Sequence, residues 1–270
     1  MPDSPQSSNG SVRRRARRLA SDRIETLDEV VAEETAVALV YNGVSHAVMM
    51  ATPCDLEDLA LGFSITEGIV EKASQIYDVE VEPVGRGLEV KLEIAAQRMA
   101  VLQERRRSLA GRTGCGLCGV ESLDAALRPV TAVHGTRTVS RRAVERAMAT
   151  LPGHQIINRV NGAMHAAGWS DFEGNLLAVR EDIGRHNALD KLAGTMAKSK
   201  AGQQGFVVVT SRCSYEMVQK AAAMQAAAIA AVSAPTSLAI EAAEQADMAL
   251  VAFVRDGRLT AYVHPERIVP

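Results

Sequence analysis

Two short stretches of the chain concentrate residue types that do chemistry. From Arg180 to Lys191 the sequence reads REDIGRHNALDK. There Asp182, Gly184, Arg185, His186 and Asn187 fall between an apolar run, Leu176 to Val179, and the helical spacing of Ala188, Leu189, Leu192, Ala193 and Met196. The pattern predicts the carboxyl end of a strand meeting the amino end of a helix, a place that suits a phosphate. A capped turn whose charges pair with one another explains the same run. The second stretch is GCGLCG, Gly114 to Gly119, where flexible glycines bring Cys115 and Cys118 together just after Arg105, Arg106, Arg107 and Arg112. Nearby cations lower a thiol's pKa and raise its thiolate fraction, so the chemistry here is that of a nucleophilic sulfur. Structural zinc needs four ligands, but a second CxxC is missing, Cys54 and Cys213 stand alone, and the six histidines show no ligand spacing. No metal site is expected. A thioredoxin-like dithiol lacks its preceding strand, and a zinc deaminase lacks its His-x-Glu and the Pro before CxxC. Two idle cysteines in a surface loop remain the bland reading; glycines and arginines favour a chemical one.

The elements that must position these residues are readable from periodicity. An apolar run, Gly205 to Thr210, passes through Ser211, Arg212, Cys213 and Ser214 into a helical pattern, and Ile229 to Val232 passes through Ser233 to Thr236 into another. Met248 to Val254 leads to an Asp256-Gly257 turn flanked by Arg255 and Arg258, with Leu259 to Val263 as a return strand. Short strands alternating with helices predict parallel pairing by right-handed crossovers. All the polar turns then share one sheet edge, predicting a phosphate-binding pocket with arginines on more than one wall. Upstream, Ala36 to Met50 reads as a hairpin turning at Asn42-Gly43. A helix follows with Thr52 as its N-cap and Pro53 at its first position, ending at Gly68, and Asp55, Glu57 and Asp58 form a solvated face. Val79 to Val84 and Leu88 to Ile94 form a second hairpin, and Ala95 to about Leu109 a helix leading to the cysteine loop. The expected fold class is α/β: a C-terminal βα-repeat sheet flanked by helices, residues 136–270 and cofactor-binding, with a smaller N-terminal α+β part, residues 21–135, carrying the CxxC loop. Residues 1–20, with Arg13, Arg14, Arg15, Arg17 and Arg18, read as a disordered basic tail, because no apolar stretch follows the arginines as an export signal would require.

With 270 residues, 47% of them hydrophobic, and a net charge of -2, the chain suits a soluble protein with one substantial or two smaller cores. The charge balance gives no signal for a nucleic-acid partner, and no window approaches a membrane span. Four cysteines, two of them in a reactive-looking loop, suit a reducing cytoplasm.

Together the motifs resemble the FdhD family of formate dehydrogenase accessory sulfurtransferases. The resemblance rests on Asn42-Gly43, the run MMATPCDLEDLALGF ending at Phe63, GCGLCG, REDIGRHNALDK, SYEMVQKA at Ser214 to Ala221 and SAPTSLA at Ser233 to Ala239. It implies a cytidine-deaminase-like sheet and transfer of sulfur from a cysteine desulfurase to the molybdenum cofactor, in its bis(guanine dinucleotide) form, before that cofactor enters apo-formate dehydrogenase. Cys115 would be the persulfide carrier and Cys118 its partner. Phe253, Val254, Arg255, Asp256, Gly257 and Arg258 match the family's cofactor-contacting segment. Asp182, Arg185, His186, Asn187 and Ser211 are the further candidates for cofactor binding, with a free guanine nucleotide as a mimic. A homodimer is expected by analogy. A non-catalytic chaperone that holds the cofactor for the apo-dehydrogenase is the alternative. The chain departs from the family at Asn161-Gly162-Ala163-Met164-His165, where a Gly-Gly pair is usual before the His, and at Met224-Gln225, where a Gly is usual.

Overall fold

The computed structural model describes residues 10–110, 129–135, 137–199 and 204–270. The disorder expected of residues 1–20 is not found from Ser11 on. Residues of the expected tail form a strand, β1 (Ser11–Leu19), paired antiparallel with β2 (Ile24–Ala32) as a two-stranded ribbon. Apolar periodicity was the wrong signal, because the ribbon covers no core. Its strands match by charge instead: Arg14 lies opposite Glu29, Arg15 opposite Asp28 and Arg18 opposite Glu25. At its base Glu33 N donates to Gly10 O at 3.0 Å.

The Asn42-Gly43 signal holds. Both residues have positive φ, 47° and 79°, the backbone a tight hairpin turn needs, between β3 (Thr35–Tyr41) and β4 (Val44–Ala51). A second hairpin, β5 (Ile76–Val84) and β6 (Gly87–Ile94), joins the first through parallel β3–β6 pairing, giving the order β4-β3-β6-β5. Alternate residues Val37, Leu39 and Tyr41 with Val90, Leu92 and Ile94 turn inward onto α1 (Leu56–Thr66) and α2 (Ala96–Ala110), where Leu59 and Leu102 are buried. Thr52 does not cap α1. The helix starts after Asp55, in left-handed backbone at φ 52°, and Thr52 is wholly buried in another role described below.

After β7 (Val139–Ser140), the Ser140 hydroxyl accepts from Ala143 N and caps α3 (Arg141–His154), which the short α4 (Asn158–Asn161) follows. Then come β8 (His165–Ser170), β9 (Leu176–Asp182), α5 (Arg185–Lys198), β10 (Phe206–Val209), α6 (Tyr215–Ala223), β11 (Ala228–Ala231), α7 (Ser237–Gln245), β12 (Ala249–Arg255), β13 (Arg258–Val263) and β14 (Ile268–Val269). Six strands form one sheet in the order β13-β12-β11-β10-β8-β9, with β10, β11 and β12 parallel as expected. The pattern concealed β8, whose sequence HAAGWS carries no β-branched residue. It lies antiparallel between β9 and β10. On one face Leu189, Leu192, Met217, Val218 and Ala242 from α5, α6 and α7 bury the sheet. On the other, Val144, Ala147 and Leu151 of α3 pack on Phe206, Val208, Ala230 and Val251. Complete burial of one such aliphatic side chain stabilises by about 1.5–3 kcal/mol.

Helices α1 and α5 hold the two parts together. A Cβ on Gly62 would stand 1.7 Å from Asp190 O and one on Gly194 2.0 Å from Asp58 O, so the helices touch backbone to backbone. Charges flank the crossing. Thr66 Oγ1 donates to Asp190 Oδ1 at 2.6 Å, and Lys220 Nζ reaches Asp190 at 2.9 Å and Glu67 at 3.1 Å. Asp58 is buried rather than solvated, because Arg180 and Lys198 each meet it at 2.7 Å. No described helix is long and apolar enough to cross a membrane.

Candidate functional site at the carboxyl edge of the six-stranded sheet

Because β8 runs antiparallel to both neighbours, β9 points the same way as β10, β11 and β12, and all four carboxyl ends reach one edge. The amino end of β8 brings His165 there as well, opposite Asp182. The loops along this edge are laced together. Cys213 N donates to Ala234 O at 3.1 Å, Thr236 N to Cys213 O at 3.0 Å and Phe253 N to Ser233 O at 3.3 Å. Ser211 is buried, its hydroxyl donating to Arg212 O at 2.8 Å.

The β9–α5 turn divides into a scaffold and a face. Asp182 is fully buried: Oδ1 accepts from Gly184 N at 2.8 Å and Asn187 Nδ2 at 3.0 Å, while Oδ2 accepts from Thr52 N at 3.0 Å and lies 2.7 Å from Lys191 Nζ. Thr52 completes the knot, its carbonyl accepting from Lys191 at 3.1 Å and its hydroxyl from Ile183 N at 3.1 Å. Asn187 is also buried and donates to Met50 O at 2.8 Å. Asp182 and Asn187 therefore shape the turn from beneath, and the paired-charge reading applies to them. Arg185 and His186 are part-exposed, and Arg185 Nε has no hydrogen-bond partner among the described residues. His186 Nε2 lies 2.6 Å from Glu216 Oε2. Burial, then Arg185 and Lys220, hold the His186 imidazole below its ordinary pKa against the pull of Glu216. His165 is lowered too, by burial and Arg185. Neither α5 after Gly184 nor α6 after Ser214 has a side-chain cap, so both helix starts keep N–H groups aimed at this edge.

At the other end of the edge is a cavity of about 420 Å³, lined by Val254, Arg255, Asp256, Gly257 and Arg258 together with Glu145, Met148, Ala149 and Val232. Phe253 has φ 54°, a costly conformation for a bulky side chain, at a bulge between Ala252 and Arg255. The bulge re-aims the strand end, and the Arg255 guanidinium lies 5.9 Å from the Phe253 ring. Arg141 Nη2 donates to Gly257 O at 2.9 Å and braces the turn.

A single pocket walled by all the candidate residues is not what forms. Since β8 is inserted, four inter-strand spacings, about 19 Å, separate the ends of β9 and β12. The residues of α3 that line the cavity were invisible to sequence reasoning; their spacing reports an amphipathic helix and nothing about what it faces. Cys115 and Cys118 lie outside the described residues. Of the other two thiols, Cys213 is buried and its pKa is pushed up to about 12 by that burial, while Cys54 is part-buried and also raised.

The FdhD/NarQ family model matches residues 32–269. The chain belongs to that family. It is 54% identical over 239 residues to the sulfur carrier protein FdhD of Cupriavidus necator, covering 88% of this chain and 83% of that protein. It is 48% identical over 260 residues to the protein of the same name from Xanthomonas euvesicatoria pv. vesicatoria, covering 96% and 92%. A crystal structure described as a formate dehydrogenase accessory protein, from Desulfotalea psychrophila, superposes with a TM-score of 0.73 at 23% identity, covering 96% of this chain and 99% of that one. At that identity the likeness speaks for the fold, which the two share. The matched span takes in every candidate site residue of this FdhD/NarQ chain, including both cysteines.

Proposed function

We propose that this chain is a sulfurtransferase of the FdhD kind, taking sulfur from a cysteine desulfurase onto Cys115 and delivering it to the bis(guanine dinucleotide) molybdenum cofactor destined for apo-formate dehydrogenase. The observation that carries the reading is the division of the sheet edge into two cation-bearing ends. Arg255 and Arg258 border the cavity, while Arg185 and two uncapped helix starts face the other end. A substrate with two nucleotide arms, each bearing a pyrophosphate, has phosphates to offer to both ends, and arginines with helix N-termini suit phosphates. A free guanine nucleotide would occupy one of them.

The sulfur step balances without an outside oxidant. The Cys115 thiolate attacks the terminal sulfur of the donor's persulfide; the donor S–S bond breaks, a new one forms on Cys115, and the donor leaves as thiolate. On delivery a thiolate, that of Cys118 or of an external thiol, attacks the Cys115 sulfur. The persulfide S–S bond breaks, a disulfide forms, and the outer sulfur leaves at the sulfide level for the cofactor, the two thiols supplying the two electrons. Burial keeps Cys213 protonated and out of this exchange. Incubation with a cysteine desulfurase and cysteine should add the mass of one sulfur, removable by reductant, to the wild type and not to Cys115→Ala. Cys115→Ala should also fail to support dehydrogenase activation, with Cys118→Ala less severe. Full activation by Cys115→Ala would leave only a cofactor-holding role, the chaperone alternative, for the same arginines.

A further inference from the structure

The β1–β2 ribbon is unused by the reading above, and its charge is unevenly arranged. Strand β1 carries five arginines and no carboxylate, and β2 three carboxylates and no cation, so the pair is net positive on a chain of net charge -2. Side chains alternate between faces. On one face Arg14 and Arg18 stand opposite Glu29 and Glu25, with Arg18 in contact with Glu29 at 2.6 Å. On the other, Arg13, Arg15 and Arg17 form an exposed row opposite Val30, Asp28 and Thr26, a single carboxylate for three guanidiniums. That row ends at a cross-strand pair, Leu19 and Ile24, 73% and 68% exposed. Among the described residues the second edge of β1 pairs with nothing.

We propose that this arginine row and the open edge of β1 dock an acidic, extended segment of a partner polypeptide by strand addition. The ribbon already contains an example of what fits. Strand β2 pairs with β1 through backbone hydrogen bonds while Glu25, Asp28 and Glu29 meet the arginines, and a second acidic strand on the far edge would meet the same rows. A second copy of β1 is a poor occupant, since its arginines would face arginines, the arrangement that protects free edges from self-pairing. Nucleic acid and anionic bilayers fit worse than a peptide strand, because the β2 carboxylates lie beside the row and neither ligand offers backbone groups to the edge. The place is apt for a protein that hands over or receives cargo. Asn161 Nδ2 donates to Ser11 Oγ at 2.9 Å, tying the ribbon to α4. The start of α4 is held by Glu181, which accepts from Ile157 N and Asn158 N at 2.8 Å each and directly precedes Asp182 at the sheet edge.

The probe is a fluorescent synthetic peptide with the β2 sequence, IETLDEVVA, titrated by anisotropy into the full chain. Binding should saturate, weaken with added salt, and fall about tenfold in Arg13→Thr/Arg15→Thr/Arg17→Thr, since removing rim charges mainly removes electrostatic attraction. Thr keeps strand propensity, and Arg14 and Arg18 still stand opposite Glu29 and Glu25, so the triple variant should keep the ribbon and melt as the wild type does. A peptide with Lys at the three acidic positions should not bind. The proposal is overturned if the acidic peptide shows no saturable binding, if the lysine peptide binds equally, or if the arginine substitutions leave affinity unchanged. It also fails if a DNA duplex or phosphatidylserine vesicles bind as tightly with the same arginine dependence, which would make the row a general polyanion surface.

Discussion

Lys191→Met tests whether the REDIGRHNALDK turn is built on its buried pair. Lys191 and Asp182 are both 0% exposed at the side chain and 2.7 Å apart. Met fills much the same volume but leaves the buried Asp182 carboxyl without its cation, with the Gly184, Thr52 and Asn187 donors remaining among the described residues. Removing one partner of a buried pair costs about 3–5 kcal/mol, because the remaining charge is uncompensated. Unfolding entropy near 2.1 cal/mol/K per residue, over 270 residues, converts that loss to a fall in Tm of about 5–9 °C. The double variant Asp182→Asn/Lys191→Met removes both charges and should recover part of the loss, with a coupling of about 1–3 kcal/mol. Thermal unfolding of these two variants and of the single Asp182→Asn variant, followed by circular dichroism, gives all three values. A single variant melting within about 2 °C of wild type, or strictly additive losses, would refute the argument that the pair holds the turn.

At the helix crossing, Gly62→Ala should cost about 3 kcal/mol or more, above the usual range for overpacking, since backbone lies on both sides and cannot yield. Gly153→Ala, with nothing within 4 Å of its added Cβ, should leave the chemical denaturation midpoint unchanged or raised. Burial alone would raise the Asp58 carboxyl, but hydrogen bonds from Lys198, Arg180 and Thr195 outweigh it and hold it below its ordinary range. Its contribution is therefore present above about pH 4 and lost as pH falls through the lower folded value, so the stability gap between wild type and Asp58→Asn in urea titrations should narrow from pH 6 to pH 3. A gap that stays constant with pH would remove Asp58 from the ion-pair account.

Much of the architecture could be read along the chain where local chemistry has few solutions. Asn42-Gly43 admits a tight hairpin, and Leu176 to Met196 changes from strand to helix at Gly184 as read. What escaped reading depended on partners distant in sequence. Strand β8 carries no β-branched residue, and its place is set by pairing with β9 and β10 on its two sides. Thr52 and Asp182 are 130 positions apart, so neither the false N-cap nor the true knot leaves a local trace. The ribbon was missed because complementary charge, rather than apolar alternation, pairs its strands. Candidate site residues divide the same way. Arg255 to Arg258 line a cavity where the turn signal placed them, whereas Asp182 and Asn187, read as facing ligand, lie beneath it.

The knot at Thr52 bears on how such chains can diverge. A chimaera of two relatives, spliced in the stretch between residues 130 and 138, would take Thr52, Asp58, Thr66 and Glu67 from one parent and Asp182, Arg180, Asp190 and Lys220 from the other. Four partnerships, two buried and two part-buried, and the mutual fit of Gly62 and Gly194 would each have to match across the splice. Substitutions on the inner side of either half are thus constrained jointly with those of the other, while the solvent side of the ribbon carries no such coupling.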